Sequence, residues 1–352
     1  MITSEAAAPA AADALAPSQA GVAKPLVDVR DLTLRLVSRQ SDVTLLHGLS
    51  FTLAEREVLC VIGESGSGKS IAMRTLMRLL PPNARVGGTI TIGGIDILGL
   101  KPRELVGIRG SFISMIFQEP SSALDPAFTI GNQIAEVVRV HERVSRATAR
   151  ERALELLEMV QIPSARRRLD AYAHELSGGL KQRAMIALAL SCRPKVLIAD
   201  EPTTALDATV QIQVLLLLRA LQREFGMGTI FVTHDVGVAH EIADRTAVMY
   251  AGRIVETGPS HAVLHAPAHP YTAALLRSVV APEARGTRIA QISGAPPDLS
   301  VLPPGCSFAP RCSLAARRCI ESVPDLRPAT ADHWARCVLL DEAVTDTAAS
   351  GN

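Results

Sequence analysis

Eight residues, GESGSGKS at 63–70, combine glycines, hydroxyls and one lysine in the pattern G-x-x-x-x-G-K-[ST]. Gly63, Gly66 and Gly68 let successive backbone N–H groups curl around phosphate oxygens, and a helix starting behind them adds a favourable dipole. In that geometry Lys69 reaches the β- and γ-phosphates and the Ser70 hydroxyl ligates Mg²⁺, while Glu64, Ser65 and Ser67 complete the loop. The apolar run VLCVI (58–62) precedes the loop and IAMRTLMRLL (71–80) follows it, which supplies the strand–loop–helix context the motif needs.

A second stretch, VLIADEPTTALD (196–207), ends an apolar run in two carboxylates. Asp200 is suited to hold Mg²⁺ directly or through water. Glu201, one residue on, can polarise an attacking water. A third stretch, ELSGGLKQR (175–183), opens a helix: Ser177 can cap it, and Gly178 and Gly179 allow backbone amides to approach an anion. Taken singly, the second is an ordinary polar turn and the third a capped loop. Beside a phosphate loop they read as parts of one nucleotide site.

The elements that must position these residues are short and apolar. FISMIF (112–117), TIFVT (229–233) and TAVMY (246–250) join VLCVI and VLIAD as buried-strand patterns, separated by helical patterns at 70–79, 146–160 and 180–191. Such alternation predicts an α/β core with a largely parallel sheet. The roughly 80 residues between FISMIF and VLIAD carry helical periodicity without a strand, which predicts an inserted helical subdomain at about 120–190. The leucine-rich VQIQVLLLLRALQ (210–222), interrupted by Arg219, fits a buried helix and falls short of a membrane span.

A chain of 352 residues, 48% hydrophobic and 20% charged, can bury a large core and hold more than one domain. Its net charge of +1 leaves no electrostatic footprint for nucleic acid. The Ala- and Pro-rich residues 1–22 read as a disordered leader without the marks of a secretory signal, which places the chain in the cytoplasm. Residues 23–262 form the expected nucleotide-binding domain. Beyond them the texture turns Pro- and Cys-rich, so 263–340 is expected to form a separate extension and 341–352 a flexible tail. In a reducing compartment six cysteines argue against structural disulfides. Cys60 and Cys192 lie in apolar runs. The other four, Cys306, Cys312, Cys319 and Cys337, follow C-x5-C-x6-C-x17-C, wider than the paired spacing of structural zinc.

GESGSGKS, Gln118 in IFQEP, LSGGLKQR, VLIADEPTTALD and His234 in VTHD occur in the order found in ABC-type ATPases. Residues 26–260 resemble that family. The resemblance implies a P-loop ABC ATPase domain with a RecA-like core, an antiparallel β subdomain and an inserted helical subdomain. It also implies a mechanism in which two such domains close head-to-tail over two ATP molecules. Ser177, Gly178 and Gly179 would then contact the γ-phosphate held by the partner. Glu201 would be the general base, and His234 would hold the γ-phosphate and the attacking water. Gln118 would join Ser70 and Asp200 around Mg²⁺ and signal to the next subunit. Two departures stand out. Leu180 occupies a position where Gln is commonest. LTLRLVSRQSDVTLLHG (32–48) has no aromatic where the family stacks adenine, which leaves Val43 or Arg39 to cover the ring.

HPYTAALLRS (269–278), ISGAPPDLSVLPPGCSFAPRC (292–312) and the late cysteines are similar to the extension of oligopeptide and dipeptide importer ATPases, a group that includes nickel importers. That implies a peripheral ATPase at the cytoplasmic face of the inner membrane. Its implied partners are a second, related ATPase subunit, two permease subunits and an extracytoplasmic solute-binding protein. The function implied is import of di- or oligopeptides, with nickel chelates or another small solute as the alternative cargo. A soluble ABC ATPase of DNA repair or translation is the alternative from another class, disfavoured by the balanced charge. For the four cysteines the resemblance implies a [4Fe–4S] cluster, with zinc or plain burial as alternatives.

Overall fold

The computed structural model describes residues 24–39, 41–204, 206–278 and 292–340; the expected leader and tail lie outside the described residues. Among the described residues twelve strands run in order: β1 (Val27–Val37), β2 (Asp42–Leu53), β3 (Val58–Ile62), β4 (Ala84–Ile92), β5 (Ile95–Asp96), β6 (Ile113–Ile116), β7 (Val196–Asp200), β8 (Gly228–Thr233), β9 (Arg245–Tyr250), β10 (Arg253–Pro259), β11 (Arg327–Thr330) and β12 (His333–Ala335). They make an antiparallel sheet in the order β2-β1-β4-β5 and a larger sheet in the order β11-β12-β10-β9-β3-β8-β7-β6. In the larger sheet β9, β3, β8, β7 and β6 run parallel, as their continuous apolar runs predict for strands covered on both faces.

Alternation along those strands sorts residues into two cores. Val58, Cys60 and Ile62 of β3 face one core, together with Leu197 and Ala199 of β7. Leu59, Val61, Val196 and Ile198 face the other, which also contains Leu32, Leu34 and Leu46 of the antiparallel sheet and Met73 and Leu76 of the helix Lys69–Leu76. Strand periodicity alone requires this division.

Between β6 and β7 the described residues form helices and no strand, the longest being Ile130–Glu142, Arg146–Met159 and Gly178–Leu190. Ser145 caps the second of these by accepting the Thr148 N–H, and Ile134, Val138, Leu156 and Leu157 are buried between the first two. The helix Ala208–Phe225 is not buried all round. Val214, Leu217, Leu218 and Leu221 pack inward, but Ile212 and Leu216 are 58% and 67% exposed. It lies as one layer on the sheet, so the residues four apart on its outer face meet solvent whatever their hydropathy.

After residue 262 the chain does not stand apart from the core. Strand β12 pairs with β10 and β11 with β12, so the extension lengthens the main sheet. Phe308 is 3% exposed inside the main core, its ring 5.4 Å from Tyr250 and 5.3 Å from Tyr271. Glu256 of β10 is fully buried and ties the junction. Its Oε1 accepts the Ala268 N–H (2.7 Å) and lies 2.6 Å from His333 Nε2, and its Oε2 accepts the His269 N–H (2.9 Å). His269 Nδ1 in turn accepts the Tyr271 N–H at 3.0 Å and caps the helix Pro270–Arg277.

Burial pushes the His269 pKa from 6.5 down to about 4, with Glu256 opposing. The folded chain therefore keeps this imidazole neutral where the unfolded chain protonates it, so stability falls as pH drops through the interval between the two values. In urea unfolding this group should remove roughly 3 kcal/mol between pH 6.5 and pH 4. His269→Gln, which keeps an acceptor without a titration, should flatten that part of the pH profile. Equal slopes for the two proteins would show that His269 is not responsible.

Candidate functional site

The site lies at the carboxyl ends of β3, β6, β7 and β8. The chain leaves β3 at Ile62 and turns through 63–68 into the helix Lys69–Leu76. Gly63 is required by close approach: a Cβ there would sit 2.2 Å from the carbonyl oxygen of Met249 on β9. Gly68 adopts φ +100°, a conformation that side chains resist, immediately before the helix. The Lys69 ammonium is buried under the loop and donates to the carbonyls of Gly63 (2.7 Å) and Glu64 (2.9 Å). Burial lowers its pKa, while Glu201, Asp200 and Glu64 oppose that effect. Ser67 Oγ is buried in the loop without a hydrogen-bond partner. A buried cation held only by backbone carbonyls, beside an orphaned hydroxyl, suits a loop that receives an anion.

Asp200, the last residue of β7, is 2% exposed, and its Oδ1 accepts the Ser70 hydroxyl at 2.9 Å. Burial raises its pKa and the Ser70 hydrogen bond opposes the rise. This hydroxyl–carboxylate pair fits Mg²⁺, a hard cation that takes one or two carboxylates and completes its shell with water and phosphate oxygens. Among the described residues no three His, Cys, Asp or Glu side chains gather as they would around an ion caged wholly by protein.

Glu201 follows with φ +47°, in the left-handed region. That conformation costs a side-chain-bearing residue on the order of 1–3 kcal/mol. The Glu201 N–H donates to Val232 O on β8 (2.9 Å), which holds the turn. Three groups converge on its Oε2: Gln118 Nε2 at 3.2 Å, Thr204 Oγ1 at 2.9 Å and His234 Nδ1 at 3.2 Å. They come from three different segments: the end of β6, the turn after β7 and the end of β8. The carboxylate side chain is only 12% exposed, whereas that of His234 is 54% exposed.

The fold thus brings Lys69, Ser70, Gln118, Asp200, Glu201 and His234 together. Ser177, Gly178 and Gly179 stand elsewhere. Ser177 Oγ accepts the Leu180 N–H and caps the helix Gly178–Leu190, and a Cβ on Gly179 would lie 2.9 Å from Val210. None of the phosphate loop's hydrogen bonds involves these three residues. Three residues that touch the site have no spacing rule that marks them in the sequence. Thr204 lies within EPTT, Tyr271 Oη accepts the Glu64 N–H at 2.8 Å, and Arg311 pairs with the Glu64 carboxylate.

The four late cysteines line a single cavity with His269, Phe308 and others. All six cysteines of the chain are free. Burial, with the other three thiols adding, pushes Cys337 up to about 11; burial also raises Cys306 and Cys312. The donors facing this cavity include four sulfurs, although no three of them stand close enough, as placed, to ligate one ion.

Two family models match the chain: ABC transporter over residues 46–204, and oligopeptide/dipeptide transporter, C-terminal region, over residues 255–319. The oligopeptide transport ATP-binding protein OppD of Salmonella typhimurium is 47% identical over 309 residues, covering 88% of this chain and 91% of its own. OppD of Escherichia coli is 46% identical over 315 residues, covering 90% and 93%. Among solved structures, a dimeric post-hydrolysis state of the ATP-binding cassette MJ0796 bound to ADP and Pi superposes with a TM-score of 0.60 at 29% identity, covering 66% of this chain and 98% of that one. No helix among the described residues is long and apolar enough to cross a membrane.

Thr204 gives the Glu201 environment a direct test. Thr204→Val keeps the shape and deletes one hydrogen bond, worth about 1 kcal/mol. If that bond orients the carboxylate for proton transfer, ATP turnover should fall about fivefold to tenfold with nucleotide affinity unchanged. A variant with wild-type turnover would remove Thr204 from the account.

Proposed function

Because the chain belongs to the ABC transporter family, in its oligopeptide/dipeptide branch, we propose that it is the ATP-hydrolysing subunit that powers import of di- or oligopeptides through separate membrane permease subunits. The observation that carries the reading is the convergence of Gln118, Thr204 and His234 on one oxygen of Glu201, next to the Ser70–Asp200 pair and the phosphate loop.

The residues divide the work. Loop amides between Ser65 and Ser70 bind the phosphates of ATP, and Lys69 turns from its two carbonyls to the β- and γ-phosphate oxygens. Ser70, Asp200 and Gln118 would hold Mg²⁺, which when bound would neutralise charge on those oxygens. Glu201 takes a proton from the water that attacks the γ-phosphorus, and the bond to the β–γ bridging oxygen breaks to leave ADP and phosphate. His234 shares the Glu201 oxygen, which keeps the base aimed, and its imidazole would hold the γ-phosphate and the attacking water in line.

Ser177, Gly178 and Gly179 serve the other half of the reaction. Their separation from this chain's own loop suits a head-to-tail pair in which they meet the partner's γ-phosphate. A related ATPase subunit is the proposed partner. The helices between 120 and 190 would rest on the permeases at the cytoplasmic face of the membrane, and a solute-binding protein on the far side would deliver the peptide. We assign a [4Fe–4S] cluster to Cys306, Cys312, Cys319 and Cys337. An all-sulfur set in one cavity suits iron–sulfur ligation, and a cubane spreads its thiolates more widely than a single ion does.

Two measurements test this. In the assembled transporter Glu201→Gln should retain ATP and hydrolyse it about 10²-fold or more slowly; near-normal turnover would overturn the general-base role. The full chain, purified without oxygen, should contain iron and sulfide near four each per chain. Stoichiometric zinc without sulfide would refute the cluster and leave the transport function standing.

A further inference from the structure

Glu64, the second residue of the phosphate loop, has every polar group engaged, and the C-terminal extension supplies two of its four partners, the other two being Lys69 and the Ser67 N–H within the loop. Its N–H donates to Tyr271 Oη (2.8 Å), its carbonyl accepts from Lys69 Nζ (2.9 Å), and its two carboxylate oxygens accept from Arg311 Nη1 (2.6 Å) and Nη2 (3.0 Å). The ion pair joins residues 247 positions apart in sequence.

Arg311 is built into place. Its side chain is 5% exposed, against 23% for Glu64. Its Nε donates to Ser293 O (3.0 Å) and its Nη1 also reaches Tyr250 Oη (3.2 Å). The guanidinium stands 5.9 Å from the Tyr250 and Phe308 ring centres. A surface pair between two solvated side chains contributes little, but a bidentate pair held by buried rings fixes both partners.

Electrostatics gives the pair a role beyond packing. A carboxylate on a loop that receives phosphate repels the incoming anion and competes for Lys69, whose ammonium already feels Glu64. Arg311 neutralises that carboxylate and pulls it to the side of the extension. Tyr271 then holds the Glu64 amide, so the first limb of the loop is tied at backbone and side chain.

We propose that Arg311, aided by Tyr271, is a positioning residue for ATP binding: by clamping and neutralising Glu64 it makes the C-terminal extension part of the phosphate-loop machinery. The proposal rests on the reading of residues 63–70 as the ATP loop. It accounts for the HPYT segment and for Arg311 of APRC, which the catalytic assignment leaves without a task.

The test is a double-mutant cycle on the full-length chain, read as the affinity for a non-hydrolysable imido analogue of ATP with Mg²⁺, alongside KM and kcat in the assembled transporter. Arg311→Met keeps the apolar stem and strands the Glu64 charge. It should weaken affinity and raise KM on the order of tenfold to a hundredfold, with kcat at saturating ATP changed less than threefold. Arg311→Lys should recover part of the loss. Glu64→Gln in the Arg311→Met background should restore most of the affinity, because the stranded carboxylate is gone. A purely architectural role predicts the reverse, with the double variant as weak as Arg311→Met or weaker, and that result would overturn the proposal. So would Arg311→Met binding within twofold of wild type. A wild-type chain that binds no analogue would instead sink the reading of the loop itself. Should Arg311→Met fail to fold, Arg311→Lys and Tyr271→Phe carry the same comparison, and wild-type affinity in both would overturn it.

Discussion

Parallel pairing of β6, β7, β8 and β3 sets the carboxyl ends of four strands in one row, and every group that touches Lys69 or Glu201 from the core enters from that row. The register is explicit: Ile62 stands beside Thr233, Asp200 beside Val232, and Ile116 beside Ala199. One residue beyond each pair lie Gly63, His234, Glu201 and Phe117, with Gln118 next. A slip of one position in any strand would exchange its two faces between the two cores and withdraw its contribution to the site. Burial on both sides of the sheet is therefore what enforces the chemistry.

Within that frame the site is left electrostatically unfinished. Lys69 is buried without a hydrogen-bonded carboxylate, Asp200 is buried with a hydroxyl, and Glu201 adopts a conformation that side chains disfavour. Each arrangement costs stability, and each is supported from elsewhere: carbonyls of the loop under Lys69, the Val232 carbonyl over the Glu201 amide, and the apolar interior of five parallel strands. A polyanionic substrate with a divalent cation supplies the charges that this pocket lacks.

The extension belongs to the same construction. Glu256, His333 and His269 form a buried polar junction where β12 joins the sheet, and Tyr250, Tyr271 and Phe308 form an aromatic cluster beside it. Arg311 leaves that cluster for Glu64, and the next residue, Cys312, faces the cysteine cavity. Nucleotide loop and cysteine cavity are thus joined through Arg311 and Phe308.

Local chemistry made much of this legible in the residues alone. Continuous apolar runs announced the five parallel strands, G-x-x-x-x-G-K-[ST] announced the loop, and carboxylates at a strand end announced Asp200 and Glu201, because each rule depends on neighbours a few positions away. Whether Ile212 and Leu216 would be covered was not written in their helix, since that depends on how many layers the fold stacks above it. Nor could any spacing connect Gln118 or His234 to Glu201, or Arg311 to Glu64. Those contacts exist because strand order and an added sheet edge carry distant segments to one place, and long-range proximity is a property of the packed sheet, not of the interval along the chain.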